Sequence, residues 1–180
     1  RGNQTVTIDS ESTVVLDKEP TVTSGTITGN VTVDAGVGKV AKVGNTYYKS
    51  LQEAIKAAAP SGTVEILSDV TVDKWIMFSE TLNISSGQII TMSINGLTIN
   101  GNDKTVTIKS IESAGNGNRL FYDATKLNIN NWTIKYADGV AGGIGLTNGT
   151  INKVTIEGGA GVFPGTGNIT ISECNFKTSG

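Results

Sequence analysis

Asp123, Asp138, Glu157 and Glu173 are the carboxylates in the C-terminal part of the chain whose type suits them to chemistry. As a pair of acid and nucleophile for glycoside hydrolysis, two of them would have to face each other about 5–10 Å apart on one surface. They fall in dissimilar local patterns, which is how solvated surface charges are distributed. Histidine is absent from the 180 residues, which excludes His-based triads, His-ligated zinc and imidazole general-base catalysis. Cys174 has no second cysteine for a disulfide and no cationic cluster beside it to lower its pKa, so it is expected as a core thiol. Asp69, Asp73 and the run Asn100-Gly101-Asn102-Asp103 supply oxygen atoms but not the spacing of an EF-hand, and are read as turn residues. Gly142-Gly143-Ile144-Gly145-Leu146-Thr147 follows the start of a calcium-binding nonapeptide, with Thr147 where that repeat requires Asp. A flexible turn is expected there. Gly158-Gly159-Ala160-Gly161 lacks the Gly-Lys-Ser/Thr ending of a phosphate loop and is expected as a bend. No catalytic residue, metal site or cofactor is expected.

Aromatic side chains offer a different chemistry, because their faces pack against the C–H groups of sugars while neighbouring amides bond the hydroxyls. Trp75, Tyr122 and Tyr136 fall in or beside segments that join strand-like runs, and are the candidate ligand-binding residues. Core packing is the competing expectation for each. Thr-x-Thr pairs at Thr5/Thr7, Thr21/Thr23, Thr26/Thr28 and Thr105/Thr107 could order water if they formed a flat array. Their places in successive units do not match, so ordinary outward-facing strand threonine is expected.

The elements that must hold these residues are mostly strands. The chain has 23 glycines, 3 prolines and 37% apolar residues, a composition of short strands and tight turns. A net charge of −2 with 17% charged residues gives no electrostatic case for binding nucleic acid or an anionic membrane. No apolar run approaches the roughly 18 residues that cross a bilayer, and Trp75-Ile76-Met77-Phe78 is among the longest. Residues 1–38 hold alternating runs, Thr5-Val6-Thr7-Ile8, residues 13–16, Thr21-Val22-Thr23, Thr26-Ile27-Thr28 and Val31-Thr32-Val33, with Thr expected outward and Val or Ile inward. Val40-Ala41-Lys42-Val43 and Thr46-Tyr47-Tyr48 read as a hairpin about Gly44-Asn45. Ser50 as N-cap, Glu53 three residues on, and Leu51, Ala54, Ile55 and Ala58 on one face predict a helix over residues 50–59. Pro60-Ser61-Gly62 ends it.

Beyond the helix a pattern of two apolar pairs flanking a polar bend recurs in residues 64–72, 97–108, 127–134, 151–156 and 169–176, with Leu82-Asn83-Ile84 starting a further unit. Aligning Ile129, Ile151 and Ile171 gives steps of 22 and 20 residues, within the range of solenoid repeats. A lone strand–bend–strand unit cannot shield its apolar face. Stacking units about 4.8 Å apart buries a continuous aliphatic column and pairs the backbones at once. Asn130 and Asn152 then align at the bend, where Asn tolerates the left-handed conformation and can bond a side chain in the next unit; Ser172 follows them. Trp132, Val154 and Cys174 align just beyond, facing inward.

The segment from Leu97 to Val106 resembles the early coil of right-handed parallel β-helices of the pectin-lyase-like superfamily. Residues 40–72, with Tyr48, Leu51, Ala54 and Ile55 in a Tyr-x-x-Leu-x-x-Ala-Ile pattern, are similar to the β-helix modules of adhesin-like surface proteins of gut bacteria. The resemblance implies an all-β fold, a right-handed parallel β-helix (solenoid) over residues 39–180 whose N-terminal end is capped by the one α-helix. It also implies that residues 1–38 are the end of an upstream β-solenoid module. The absence of a signal at Arg1 and a strand pattern running towards Gly180 predict a piece of a longer protein. The expected function is a non-catalytic segment of a bacterial cell-surface adhesin or stalk, extracellular or secreted, touching glycans or a host surface through its inter-coil loops. The alternative is the leading part of a β-helix polysaccharide lyase or glycoside hydrolase whose active site lies beyond these residues. No nucleic acid and no membrane insertion are expected. End-to-end self-association through an uncovered last coil is.

Overall fold

The computed structural model describes residues 5–18, 24–79, 81–83, 89–91, 94–112 and 119–177; for residues 79, 81–83, 89–91 and 123 it describes the backbone alone. The chain divides into two units, residues 1–39 and 40–180. It is all-β with one short helix, and most strand pairs are parallel.

In the first unit, Thr5–Thr7 (β1) pairs in parallel with Thr26–Thr28 (β3), and Thr13–Leu16 (β2) with Asn30–Val33 (β4). Two stacked pairs give little shelter. The valines expected inward remain in water, with Val6 58% and Val33 44% exposed, because an apolar face needs further layers to enclose it. The threonines at positions 5, 7, 26 and 28 are exposed on strands as expected, but two of the Thr-x-Thr pairs do share a register. Thr5 lies opposite Thr26 and Thr7 opposite Thr28, and the Thr28 hydroxyl reaches that of Thr7 at 3.5 Å. The mismatch read from the sequence arose because the loops between these strands differ in length, which register does not count. The strand expected at residues 21–23 lies outside the described residues.

The second unit opens with Ala41–Val43 (β5) and Thr46–Tyr48 (β6), an antiparallel hairpin about Gly44, whose φ of +55° suits the turn. Helix α1, Leu51–Ala58, follows as its capping residues dictate. The Ser50 side chain accepts a hydrogen bond from the Glu53 N–H at 3.3 Å, and Leu51, Ala54, Ile55 and Ala58 are buried in the core. Gln52, on the opposite side, donates to the Lys74 carbonyl at 3.0 Å and accepts from the Ile76 N–H at 2.7 Å, fixing the helix to the next strands.

The remaining strands are Thr63–Ile66 (β7), Val70–Val72 (β8), Trp75–Ile76 (β9), Phe78–Ser79 (β10), Thr81–Asn83 (β11), Ile89–Thr91 (β12), Thr98–Ile108 (β13), Ile111–Glu112 (β14), Arg119–Ala124 (β15), Leu127–Tyr136 (β16), Gly143–Leu146 (β17), Gly149–Glu157 (β18), Gly161–Pro164 (β19), Ile169–Ser172 (β20) and Asn175–Lys177 (β21). A nine-stranded sheet runs β20-β18-β16-β13-β7-β5-β6, with β8 on β13 and β21 on β18. It is mixed, since β5 is antiparallel to both β6 and β7, but every pair from β7 to β21 within it is parallel. A second, four-stranded parallel sheet runs β10-β15-β17-β19, and β9 pairs with β14 in parallel. The order of strands along these sheets follows the order of the repeats in sequence.

Register confirms the alignment of Ile129, Ile151 and Ile171, and adds Val64 and Ile99 to the same row. Val64, Ile99, Ile129 and Ile151 are wholly buried, and each contributes about 1.5–3 kcal/mol on leaving water. Val106, Ile134 and Ile156 form a second buried row on the other side of the bend. Both rows surface at their last members, Ile171 at 47% and Phe176 at 39% exposure.

Three expectations are corrected here. Leu82-Asn83 does not start a parallel unit: β11 pairs antiparallel with β12 in a hairpin of its own, and Ile84 lies outside the described residues. The left-handed residue at the bend is not Asn130 or Asn152 but the next one, Asn131 (φ +51°), Lys153 (φ +53°) and Glu173 (φ +51°). Asn130 and Asn152 remain paired in the ladder, and the chain turns after them. Residues 143–146 are not a flexible turn but the buried strand β17. Gly143 and Gly145 stand where neighbouring strands and side chains come too close for a Cβ.

Candidate functional site

At the bend, Glu65, Asn100, Asn130, Asn152 and Ser172 stand one beside the next across the large sheet. Asn100 Nδ2 donates to Glu65 Oε1 at 2.7 Å, Asn130 Nδ2 donates to Asn100 Oδ1 at 3.2 Å, and Ser172 Oγ donates to Asn152 Oδ1 at 2.9 Å. Asn102, in the irregular stretch between Asn100 and Lys104, adds a bond from Nδ2 to Glu65 Oε2 at 2.8 Å. The bonds fall into two groups, one of Glu65, Asn100, Asn102 and Asn130 and one of Asn152 and Ser172. Their work is to fix register, since a slip of one residue would leave half-buried donors unpaired. Asp69, read as a turn residue, accepts the Thr105 N–H at 2.8 Å, and Asp73 is ion-paired with Lys109 at 2.8 Å.

The structure separates the three aromatic candidates. Trp75 is wholly buried, its Nε1 donating to the Leu120 carbonyl at 3.0 Å, with its ring edge-on to Phe78 (5.5 Å) and Phe121 (6.2 Å). A ring so enclosed has no face for a sugar. Tyr136 is 5% exposed, and Gly142 and Gly159 crowd its ring from two sides. Its hydroxyl is buried with no partner among the described residues, and burial pushes the phenol well above its ordinary pKa. Replacing Tyr136 with Phe is expected to raise stability by about 1 kcal/mol by removing an unsatisfied group. A lower urea midpoint for that variant would show that the hydroxyl has a stabilising role. Tyr122 is half-buried, with the Arg119 guanidinium 5.1 Å from its ring centre.

Two concave surfaces accompany these residues. A hollow of about 360 Å³ lies between residues 136–141 and 158–160, with the edge of Tyr136 and Asp138 on its wall. Gly139, Gly158 and Gly159 take positive φ to shape it, and the bend expected at residues 158–161 gives way to β19 at Gly161. A more open groove of about 350 Å³ is lined by Asp69, Thr71, Thr105, Thr107 and Lys135.

Two of the four candidate carboxylates, Glu157 and Glu173, are occupied by lysines. Glu157 meets Lys177 at 3.0 Å and Lys135 at 4.0 Å, and Glu173 meets Lys153 at 3.8 Å. The side chain of Asp123 lies outside the described residues. The hydrogen bond from Lys177, then its charge, hold the Glu157 carboxyl below its ordinary pKa. A lowered folded-state pKa contributes stability above the ordinary glutamate value, and that contribution is lost as pH falls through the lowered one. Lys177→Gln is therefore expected to move the Glu157 titration midpoint upward, read by NMR of the side-chain carboxyl. An unmoved midpoint would refute the pairing. Among the described residues no three Cys, Asp or Glu side chains gather closely enough to hold a metal ion. Cys174, expected in the core, is only half-buried; its thiol donates to the Ser172 carbonyl at 3.1 Å.

Comparison with protein-family models, curated proteins and solved structures finds no match to this chain. The residues thus stand on their own geometry. Sequence reasoning missed Arg119 and Phe163, whose guanidinium carbon and ring centre lie 4.4 Å apart. The available signal was composition: Arg1 and Arg119 are the only arginines among 14 basic residues.

Proposed function

We propose that residues 40–180 form a right-handed parallel β-helix like those of the pectin-lyase-like superfamily. It serves as a non-catalytic segment of a bacterial surface adhesin or stalk, extracellular or secreted, that touches glycans through its inter-strand loops. The carrying observation is the sustained parallel register from β7 through β20, with Val64, Ile99, Ile129, Ile151 and Ile171 in one row. Such an arrangement makes a stiff support, and weak contacts repeated along it add through effective concentration. The lysines bound to Glu157 and Glu173 weigh against these two serving as an acid and nucleophile. Among the described residues no helix is long and apolar enough to cross a membrane.

A glycan array probed with the protein tests this reading. Binding to host or plant glycans supports it, and silence across both sets removes the carbohydrate role. The exposed Ile171 and Phe176, beside β20 and β21 that among the described strands pair with β18 alone, also favour end-to-end self-association. Light scattering is expected to show a mass that rises with concentration and falls on Phe176→Lys. A monomer at every concentration would refute the association.

A further inference from the structure

We propose that Arg119, Tyr122 and Phe163 form a subsite for an oxyanion-bearing sugar, sulfated or carboxylated. The proposal rests on the carbohydrate reading above, narrows it to a charge class, and places this contact on strands β15 and β19 rather than on the loops. In a regular strand, residues 119 and 122 would point to opposite faces, because side chains alternate. The pairing of β15 with β17 is broken twice, between Arg119 and Phe121 and between Phe121 and Ala124. These irregularities re-aim side chains, as bulges do, and bring Arg119 and Tyr122 together while Leu120 and Phe121 stay wholly buried.

The neighbouring strand is bare where it must be. A Cβ on Gly145 would stand 2.7 Å from the Phe121 carbonyl and 3.1 Å from Arg119 Cδ, and one on Gly143 would stand 2.5 Å from the Phe163 ring. With glycine at both places on β17, Arg119 from β15 and Phe163 from β19 meet across it at 4.4 Å. The guanidinium therefore has aromatic neighbours at Phe163 and Tyr122, and among the described residues it makes no ion pair or hydrogen bond. Six lysines of this chain, by contrast, are bound to carboxylates.

A guanidinium held by aromatic rings keeps its in-plane N–H donors, whose fork matches a carboxylate or sulfate in bidentate fashion. Partial burial strengthens that contact relative to one in open water. The two rings supply apolar surface for the C–H groups of the sugar that carries the anion. Lysine, a point charge without the planar fork, would reproduce neither feature.

The test is calorimetric titration of the whole chain with three oligosaccharides of equal length: a sulfated hexose, a hexuronate and a neutral hexose. At least one anionic sugar is expected to bind about tenfold or more tightly than the neutral one. Arg119→Gln and Arg119→Lys are each expected to weaken the anionic sugar about tenfold and to leave the neutral one unchanged. The anionic arm that responds identifies sulfate or carboxylate as the source. Retained affinity in Arg119→Lys, with an unchanged urea midpoint, would overturn the planar-fork argument. Equal binding of all three sugars, unaffected by either variant, would overturn the subsite and leave the carbohydrate reading standing. Binding of none would remove both.

Discussion

Trp75→Ala is expected to destabilise the second unit by about 3–5 kcal/mol, as large-to-small changes of buried aromatics do. The ring is fully enclosed and lies edge-on to Phe78 and Phe121, which stack on each other at 5.7 Å. Its removal opens a cavity between β9, which pairs with β14 in one sheet, and the paired strands β10 and β15 of another, and the two sheets cannot close together without shifting register. The Leu120 carbonyl, which accepts the indole N–H, is also left without that donor, a loss of the order of 1–3 kcal/mol where water cannot enter. Trp75→Phe should recover part of the volume and none of the hydrogen bond. Urea denaturation followed by far-UV circular dichroism measures both variants. The control is Tyr122→Ala, which removes a half-buried ring and is expected to cost less. A Trp75→Ala variant within about 1 kcal/mol of the parent chain would mean that the indole does not hold the sheets together.

Trp75 also shows where reading the sequence works and where it stops. The repeated apolar–polar–apolar units are legible because strand periodicity and stacking both depend on residue type at fixed intervals, and Ile129, Ile151 and Ile171 do lie in register. Helix α1 is legible for the same reason: Ser50, Glu53 and the four buried positions are local signals. A position in a connecting segment, however, does not reveal burial. Trp75 lies in a two-residue strand that register alone makes visible. Residues 143–146 look like a turn because glycine is read as a turn former, whereas here it serves close approach between strands. The left-handed residues Lys153 and Glu173 give no compositional cue, since neither side chain favours that conformation and the neighbouring Asn and Ser attract the assignment. Arg119 and Tyr122 are the extreme case. Their odd separation argues against a shared face, and only the irregular pairing of β15 brings them together.

Glycine at position 149 supplies the sharpest test of how tightly the parallel rows are set. Gly149 begins β18, lies between Leu127 and Ile169 in register, and has φ of +142°, which side-chain-bearing residues rarely adopt. A Cβ there would run into the carbonyl oxygen of Leu127, with the carbon of that carbonyl 2.8 Å away. That obstacle is backbone, and it is pinned: Leu127 N–H donates to the Asn148 carbonyl at 3.1 Å, and Gly149 N–H to the Asn168 carbonyl at 3.1 Å. Gly149→Ala therefore combines about 1–3 kcal/mol of dihedral strain with about 1–3 kcal/mol of overpacking. Gly139 separates the two contributions. Its φ of +77° is also positive, but no atom lies within 4 Å of an added Cβ, so Gly139→Ala carries the conformational cost alone, about 1 kcal/mol. Urea midpoints for the two variants are expected to differ, with Gly149→Ala much the lower. Equal midpoints would mean that β16 and β18 can move apart at little cost, and that the aliphatic rows between them are looser than the register implies.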